Sequence, residues 1–174
     1  MRLDDWNERY RSREELDTVP APLLVRAAEG LAPGRALDLA CGAGRNAVWL
    51  AERGWEVVAI DGAIEAIRIV DQRTGTLPVD ARVMDLERGG ELPFRDESFD
   101  LVAILYYLHR PLFAEARRVV KRGGIVVSAA KMRGTYRIAA GELARHFEGF
   151  EVLHASEGEI AEIIARRPDA NRKK

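Results

Sequence analysis

The sequence is short of the features that mark several special classes of protein. A single cysteine, Cys41, stands among 174 residues, so no disulfide can form within the chain, which fits a reducing compartment. The longest apolar run, LVAILYYL (residues 101–108), is far too short to cross a bilayer. The first residues, MRLDDWNERY, contain no apolar signal core. These absences argue against membrane insertion and export, and they predict a cytoplasmic protein.

The chain also lacks an excess of charge of either sign. The chain has 27 Lys and Arg against 28 Asp and Glu, a formal net charge of −1, so there is no general electrostatic footprint for nucleic acid. Two local clusters are basic. RRVVKRGG (residues 117–124) is predicted to end a helix, where cations complement the dipole, and residues 168–174 are predicted to form a basic, solvated tail. No Cys/His spacing indicates a metal site.

What the chain does have is alternating helical and strand patterns. They predict an α/β domain with a mostly parallel sheet, in which five strands are wound with helices. Residues 111–124, PLFAEARRVVKRGG, are predicted to form one helix that stops at the glycines. Residues 150–168 alternate polar and apolar side chains, which favours a closing antiparallel hairpin. We expect a single domain, with an N-terminal helical arm (residues 1–33) before the core (residues 34–167).

One stretch carries most of the functional information. ALDLACGAGRNAVWLAERGWEVVAID (residues 36–61) predicts a strand, a glycine-rich turn, a helix and a second strand that ends in Asp61. Glycines allow close backbone approach to a ligand, the helix start offers free N–H groups, and a carboxylate after strand 2 suits ribose hydroxyls. The motif alone is consistent with a dinucleotide or with S-adenosylmethionine.

Two further carboxylates favour S-adenosylmethionine. Asp38 lies inside strand 1, where it would repel a pyrophosphate but would accept a methionine ammonium group. Asp85, after strand 3, is placed to accept a hydrogen bond from an adenine amino group. The alternatives are that Asp38 caps the glycine turn through backbone N–H groups and that Asp85 is an ordinary turn residue.

The motifs LDLACGAGR, VVAID, VMDL, FDLVAILYYLHRPL and VVKRGGIVVSA resemble, in order and spacing, those of class I S-adenosylmethionine-dependent methyltransferases. DDWNERY before PAPLL, together with YYLHRPL, resembles the small tellurite-resistance-type and thiopurine-type branch. The resemblance implies a Rossmann-like three-layer sandwich with a seven-stranded sheet in the order 3-2-1-4-5-7-6, strand 7 being antiparallel.

The resemblance also implies a set of cofactor-binding residues. Asp38, Gly42 and Gly44 would line the methionine part, Asp61 would hold the ribose, and Asp85 and Leu86 would hold the adenine. Two further residues are predicted to line the cofactor site at the strand ends. Ala40 lies at a place where this family often has glycine, and Gly62 is an unusual residue after the ribose-binding acid. The product of the reaction would be S-adenosylhomocysteine.

The N-terminal arm and the end of strand 4 supply the remaining candidates. Trp6 and Tyr10 share a helix face near Arg9, so the arm could close over the methionine end of the cofactor, or it could simply dock on the core. Tyr106, Tyr107 and His109 are the catalytic candidates, although His109 could also cap the next helix.

The acceptor is expected to be a small molecule. A protein or RNA acceptor, an NAD(P)-dependent oxidoreductase and a cofactor-binding protein without chemistry are the alternatives. The oligomeric state, monomer or dimer, stays open.

Overall fold

The computed structural model describes residues 3–12, 16–88 and 91–169. Most of the predicted basic tail, residues 170–174, therefore lies outside the described residues. No helix within the described ranges is long and apolar enough to cross a membrane. The helices are α1 Leu3–Ser12, α2 Pro22–Ala28, α3 Arg45–Ala51, α4 Ile64–Thr74, α5 Pro111–Val119 and α6 Glu142–His146. The strands are β1 Arg35–Leu39, β2 Glu56–Asp61, β3 Val79–Val83, β4 Phe99–Leu105, β5 Val120–Lys131, β6 Glu151–Glu157 and β7 Ile160–Arg166.

The strands form one seven-stranded sheet in the order β3-β2-β1-β4-β5-β7-β6. Pairing from β3 through β5 is parallel, whereas β7 runs antiparallel to both β5 and β6. The predicted strand order and the predicted closing hairpin are both confirmed. Because β1 and β4 are neighbours while the chain winds outward from each of them, the carboxyl ends of these strands flank the crevice where α/β sheets bind ligands.

The sheet is covered by helices on both faces, which makes three layers. One core places Leu24 of α2 and Leu50 of α3 against alternate strand residues such as Ala36. The other packs Phe113 of α5 and Phe147 against Leu37 and its neighbours on the opposite face. This alternation follows from the two-residue period of a strand. Both faces of the central strands are therefore apolar, which explains the near-continuous hydrophobic run of β4.

The predicted helix over residues 111–124 is wrong in its last turn. Helix α5 ends at Val119, and Val120 already pairs with Phe99 as the first residue of β5. Two β-branched residues in succession favour an extended chain there. Arg117 and Arg118 do lie in the last turn of α5, as predicted, and Arg117 donates to the carbonyls of His146 and Glu148, whereas Lys121 and Arg122 in β5 pair with carboxylates. Lys121 contacts both oxygens of Asp100 at 2.9 Å.

Candidate active site

A large cavity lies at the carboxyl ends of the central strands. Its volume is about 830 Å³. It is bounded by the glycine turn after β1, the ends of β2 and β4, the segment after β3 and the N-terminal arm. Its lining residues are Leu3, Asp4, Trp6, Arg9, Tyr10, Leu16, Asp17, Ala40, Cys41, Gly42, Ala43, Arg45, Asn46, Asp61, Gly62, Asp85, Leu86, Glu87, Arg88, Leu105, Tyr106, Tyr107 and Tyr136.

Asp61, the last residue of β2, ties the second strand to the glycine turn. Its Oδ2 accepts the Gly42 backbone N–H at 2.9 Å, and its Oδ1 accepts the Ala63 N–H at 2.8 Å. Burial raises the pKa of this carboxyl, and the backbone donors oppose that rise. Each carboxylate oxygen can accept more than one hydrogen bond, so a diol could bind beside the two backbone donors.

The turn between β1 and α3 needs left-handed backbone at several positions. Gly42 has a φ of 54° and Ala40 a φ of 56°. A Cβ atom on Gly42 would lie 2.7 Å from the Tyr10 hydroxyl oxygen, so only glycine leaves the turn accessible beneath the arm. Ala40 takes up a conformation that costs an L-residue roughly 1 kcal/mol, which is a physical reason for glycine to be frequent at this place.

Asp38 lies directly behind the turn. It is 1% exposed, and its Oδ2 has no hydrogen-bond partner among the described residues. Burial, reinforced by the nearby Asp61 carboxylate, raises its pKa to about 7, while Arg45 acts in the opposite direction. An unpartnered buried carboxyl is costly, so this atom is a vacant acceptor for a cationic or hydrogen-bonding group.

The end of β4 presents two tyrosines to the cavity. Tyr106 has a φ of 60° and is 42% exposed, and the Arg45 guanidinium lies 5.6 Å from its ring centroid. Left-handed backbone at a bulky residue is uncommon and marks a position held by its surroundings. The Tyr107 hydroxyl donates to Glu87 Oε1 at 3.3 Å, and burial raises the pKa of the Tyr107 phenol. Both tyrosines line the cavity, whereas strand alternation predicted only one.

The N-terminal arm crosses the carboxyl ends of β1 and β2. Asn7 Oδ1 accepts the Glu65 backbone N–H at 3.1 Å, which satisfies a free donor at the start of α4. Within Leu3–Ser12 no residue is buried, yet Tyr10 covers Gly42 and Leu3 covers Gly62. Burial, followed by the Asp61 charge, raises the pKa of the Tyr10 phenol. Helix α1 therefore roofs the cavity and contributes little to the two cores, whereas α2, the second helix of the predicted arm, packs into one of them.

Most of the predicted site residues meet at this cavity. Those that line it are Trp6, Arg9, Tyr10, Ala40, Gly42, Asp61, Gly62, Asp85, Leu86, Tyr106 and Tyr107. Three predicted residues lie outside the lining. Asp38 is buried behind the turn, Gly44 packs toward Val70 of α4 at the start of α3, and His109 lies in the loop before α5, where its carbonyl accepts the Leu112 N–H.

Several lining residues were missed from the sequence. Arg45, which pairs with Asp17 and whose Nη1 also donates to the Val19 carbonyl, directly follows the glycine turn, so its position could have been inferred. Tyr136 lies in the loop after β5, and the carboxyl ends of parallel strands share one edge. Leu3 and Asp17 carried no local signal, because their placement depends on how the arm folds back.

Comparison with known proteins agrees with this geometry. The Methyltransferase domain family model matches residues 37–128, more than half of the chain, so the chain belongs to this family. It is 31% identical over 122 residues to Ribosomal RNA small subunit methyltransferase C of Alcanivorax borkumensis and 34% identical over 121 residues to Demethylmenaquinone methyltransferase of Renibacterium salmoninarum. These matches cover 60% and 65% of this chain but only 35% and 48% of those proteins. The chain thus spans between about a third and half of their length.

Solved structures share the fold over nearly all of the chain. TehB from Haemophilus influenzae superposes with a TM-score of 0.78 at 20% identity, covering 92% of this chain and 67% of that one. A TehB-like S-adenosylmethionine-dependent methyltransferase from Corynebacterium glutamicum gives a TM-score of 0.70 at 20% identity, covering 95% and 97%. The chain therefore belongs to the Methyltransferase domain family and has the fold of these solved S-adenosylmethionine-dependent methyltransferases.

The residues present fit S-adenosylmethionine. The unpartnered Asp38 Oδ2 suits a cationic ligand, and Gly42 lines the cavity without a side chain. A dinucleotide would bring a pyrophosphate to the turn in front of Asp38, a carboxyl group whose negative charge would oppose it. The carboxyl groups and the glycine of this turn therefore match S-adenosylmethionine better than a dinucleotide.

Proposed function

We propose that the protein transfers a methyl group from S-adenosylmethionine to a nucleophile on a small-molecule acceptor. The observation that carries the proposal is a cavity lined together by the glycine turn, by Asp61 and by the tyrosines after β4. Its volume of about 830 Å³ is within the usual range of small-molecule sites, roughly 300–1,000 Å³.

The cofactor side is assigned to residues of the turn and the strand ends. Asp61 would hold the ribose hydroxyls, Asp85 and Leu86 the adenine, and Asp38 the ammonium of the methionine part. When bound, the cofactor supplies an activated methyl group on a sulfonium. The methionine carboxylate has two cationic candidates in the lining, Arg9 and Arg45.

The acceptor side is assigned to the residues after β4 and β5. Tyr106, Tyr107 and Tyr136 would orient the acceptor toward the methyl group, and the arm would exclude water. Alignment of this kind can supply roughly 7–11 kcal/mol in the best model cases, so no strong base is required for a soft nucleophile. His109 stays a candidate base that lies outside the cavity lining.

The charge of the cavity disfavours the polyanionic alternative. Five carboxylates line it (Asp4, Asp17, Asp61, Asp85 and Glu87) against three arginines (Arg9, Arg45 and Arg88). Arg45 is paired with Asp17, and Arg88 lies 3.5 Å from Asp85. An RNA backbone would meet net negative potential at this mouth.

A single domain, with arm 1–33, core 34–167 and tail 168–174, would suffice for the reaction.

The test has two stages. Calorimetry on the full chain should detect binding of S-adenosylhomocysteine and no binding of NAD; the reverse result would refute the cofactor assignment. Release of S-adenosylhomocysteine from S-adenosylmethionine should then be measured with panels of thiols, phenols, amines and metalloid oxyanions, and in parallel with RNA and protein fractions. Turnover confined to the macromolecular fractions would refute the small-molecule proposal and leave the methyltransferase assignment intact.

A further inference from the structure

Leu3 is an apolar residue of the arm that lines the cavity. It is the first residue of α1 and is 38% exposed, and the end of its side chain lies over Gly62, directly after β2. A Cβ atom on Gly62 would lie 2.6 Å from Leu3 Cδ2. The Leu3 side chain therefore occupies the space that any side chain at position 62 would need.

Gly62 follows Asp61, and the backbone at position 62 does not require glycine. Its φ lies outside the left-handed region, unlike that of Gly42. The Cβ atom at this position would meet the end of a flexible side chain first, with the Met84 carbonyl oxygen 3.6 Å away. Glycine at position 62 is thus explained by the presence of Leu3, because the backbone conformation there would allow other residues.

The surroundings of this contact are those of a site for a flat, mostly apolar base. Leu3, Gly62 and the 6% exposed Leu86 line one cavity. Asp61 and Asp85, the two carboxylates assigned to ribose and to the adenine amino group, lie at the same end. Leu86 provides an apolar surface from the segment after β3, and Leu3 provides one from the arm.

We infer that Leu3 forms one wall of the adenine site, replacing from the arm the side chain that position 62 lacks. This inference rests on the proposed function, because it assigns a residue to the same cofactor site. It makes the arm part of adenosyl recognition as well as a cover for the methionine end.

The experiment compares binding of two probes to the full chain by calorimetry. S-adenosylhomocysteine contacts the whole site, and 5′-deoxy-5′-methylthioadenosine lacks the amino-acid part. Leu3→Ala should weaken both by about the same factor, on the order of tenfold, because a ligand surface covered by a leucine becomes exposed. Glu8→Ala, an exposed change on the same helix outside the lining, is the matched control and should change neither affinity.

A double variant that moves the leucine side chain to position 62 tests whether Leu3 contacts the ligand or only supports the structure. Leu3→Ala combined with Gly62→Leu moves the same apolar group to the strand end, and it should recover most of the affinity lost in Leu3→Ala. Gly62→Leu alone should collide with Leu3 and make the arm more sensitive to protease. The melting temperature of the ligand-free Leu3→Ala protein should match that of the wild type.

Each outcome is decisive. If the wild type does not bind S-adenosylhomocysteine, the proposed function fails and this inference fails with it. If the wild type binds and Leu3→Ala binds both probes equally well, the inference alone is overturned. A loss confined to S-adenosylhomocysteine would also overturn it, because Leu3 would then act through the methionine end.

Discussion

Asp61 Oδ2 accepts the backbone N–H of Gly42 at 2.9 Å, so the acid at the end of β2 is part of the glycine turn that follows β1. One carboxylate thereby fixes the relative position of two strand ends and presents its remaining lone pairs to the cavity. The sequence indicated a ribose-binding acid, and the structure adds that the same acid holds the turn in place.

Replacing Asp61 with alanine should weaken binding of S-adenosylhomocysteine about tenfold or more, since hydrogen bonds to a charged group are worth roughly 1.5–3 kcal/mol. The fold should persist, because the two cores do not depend on this side chain. Calorimetry and far-UV circular dichroism measure the two effects. An unchanged dissociation constant would place the ribose elsewhere.

Asp85→Ala should reduce the preference for adenosyl over inosyl ligands. Asp85 Oδ1 accepts the Glu87 N–H at 3.0 Å, which holds the carboxylate at the cavity edge, where it can accept from an exocyclic amino group. Competition binding with the two ligands gives the ratio of affinities. Asp169→Ala, remote from the cavity, is the control, and an equal loss of preference there would contradict a specific role.

Asp38 should make the stability of the ligand-free protein pH-dependent. Its pKa rises from an ordinary 3.8 to about 7 in the folded protein. The protonated carboxyl therefore contributes fully to the free energy of unfolding below pH 4, and this contribution is lost as the pH rises through 7. Asp38→Asn should remove this part of the slope, a difference on the order of 2–4 kcal/mol across the window. Urea unfolding of both proteins at several pH values measures it. Identical slopes would show that Asp38 does not titrate there.

Removal of residues 1–18 should leave a cooperatively folding domain that has lost most of its affinity for S-adenosylhomocysteine. The reason is that no residue within Leu3–Ser12 is buried, while Tyr10 and Leu3 cover Gly42 and Gly62. In the intact protein, added ligand should protect the arm from protease. A severe fall in the ligand-free melting temperature would instead make the arm part of the core, and unchanged binding with normal melting would refute both readings.

Ala40→Gly should leave the free energy of unfolding unchanged or raise it by up to ~1 kcal/mol, because glycine relieves the left-handed backbone at this position. Ala47→Gly, a fully buried position inside α3, should lower it by about 1 kcal/mol or more, since glycine is unfavourable in a helix. Chemical denaturation of the two variants is the measurement. Similar destabilisation by both would indicate that Ala40 is not strained.

The sequence by itself determined the architecture. The parallel strands are short apolar segments flanked by turn residues, and the closing hairpin alternates polar and apolar side chains, so local pattern predicted the elements. The order of the strands in the sheet was implied by the family resemblance and is confirmed by the structure. The sequence could predict that Gly42 and Asp61 lie together because both belong to one strand-turn-helix-strand unit, and the structure joins them by a hydrogen bond. The end of α5 was misplaced because Val120 obtains its conformation from pairing with Phe99, a contact distant in sequence.

Only the tertiary structure decided which residues close the site. The positions of Leu3 over Gly62 and of Tyr10 over Gly42 depend on the arm folding back across two strand ends. No spacing within ten residues encodes such a contact. The pairing of Arg45 with Asp17 likewise joins segments that are 28 residues apart. Local periodicity reports which face of an element is apolar, whereas the roof of a cavity is set by long-range packing that only the folded chain defines.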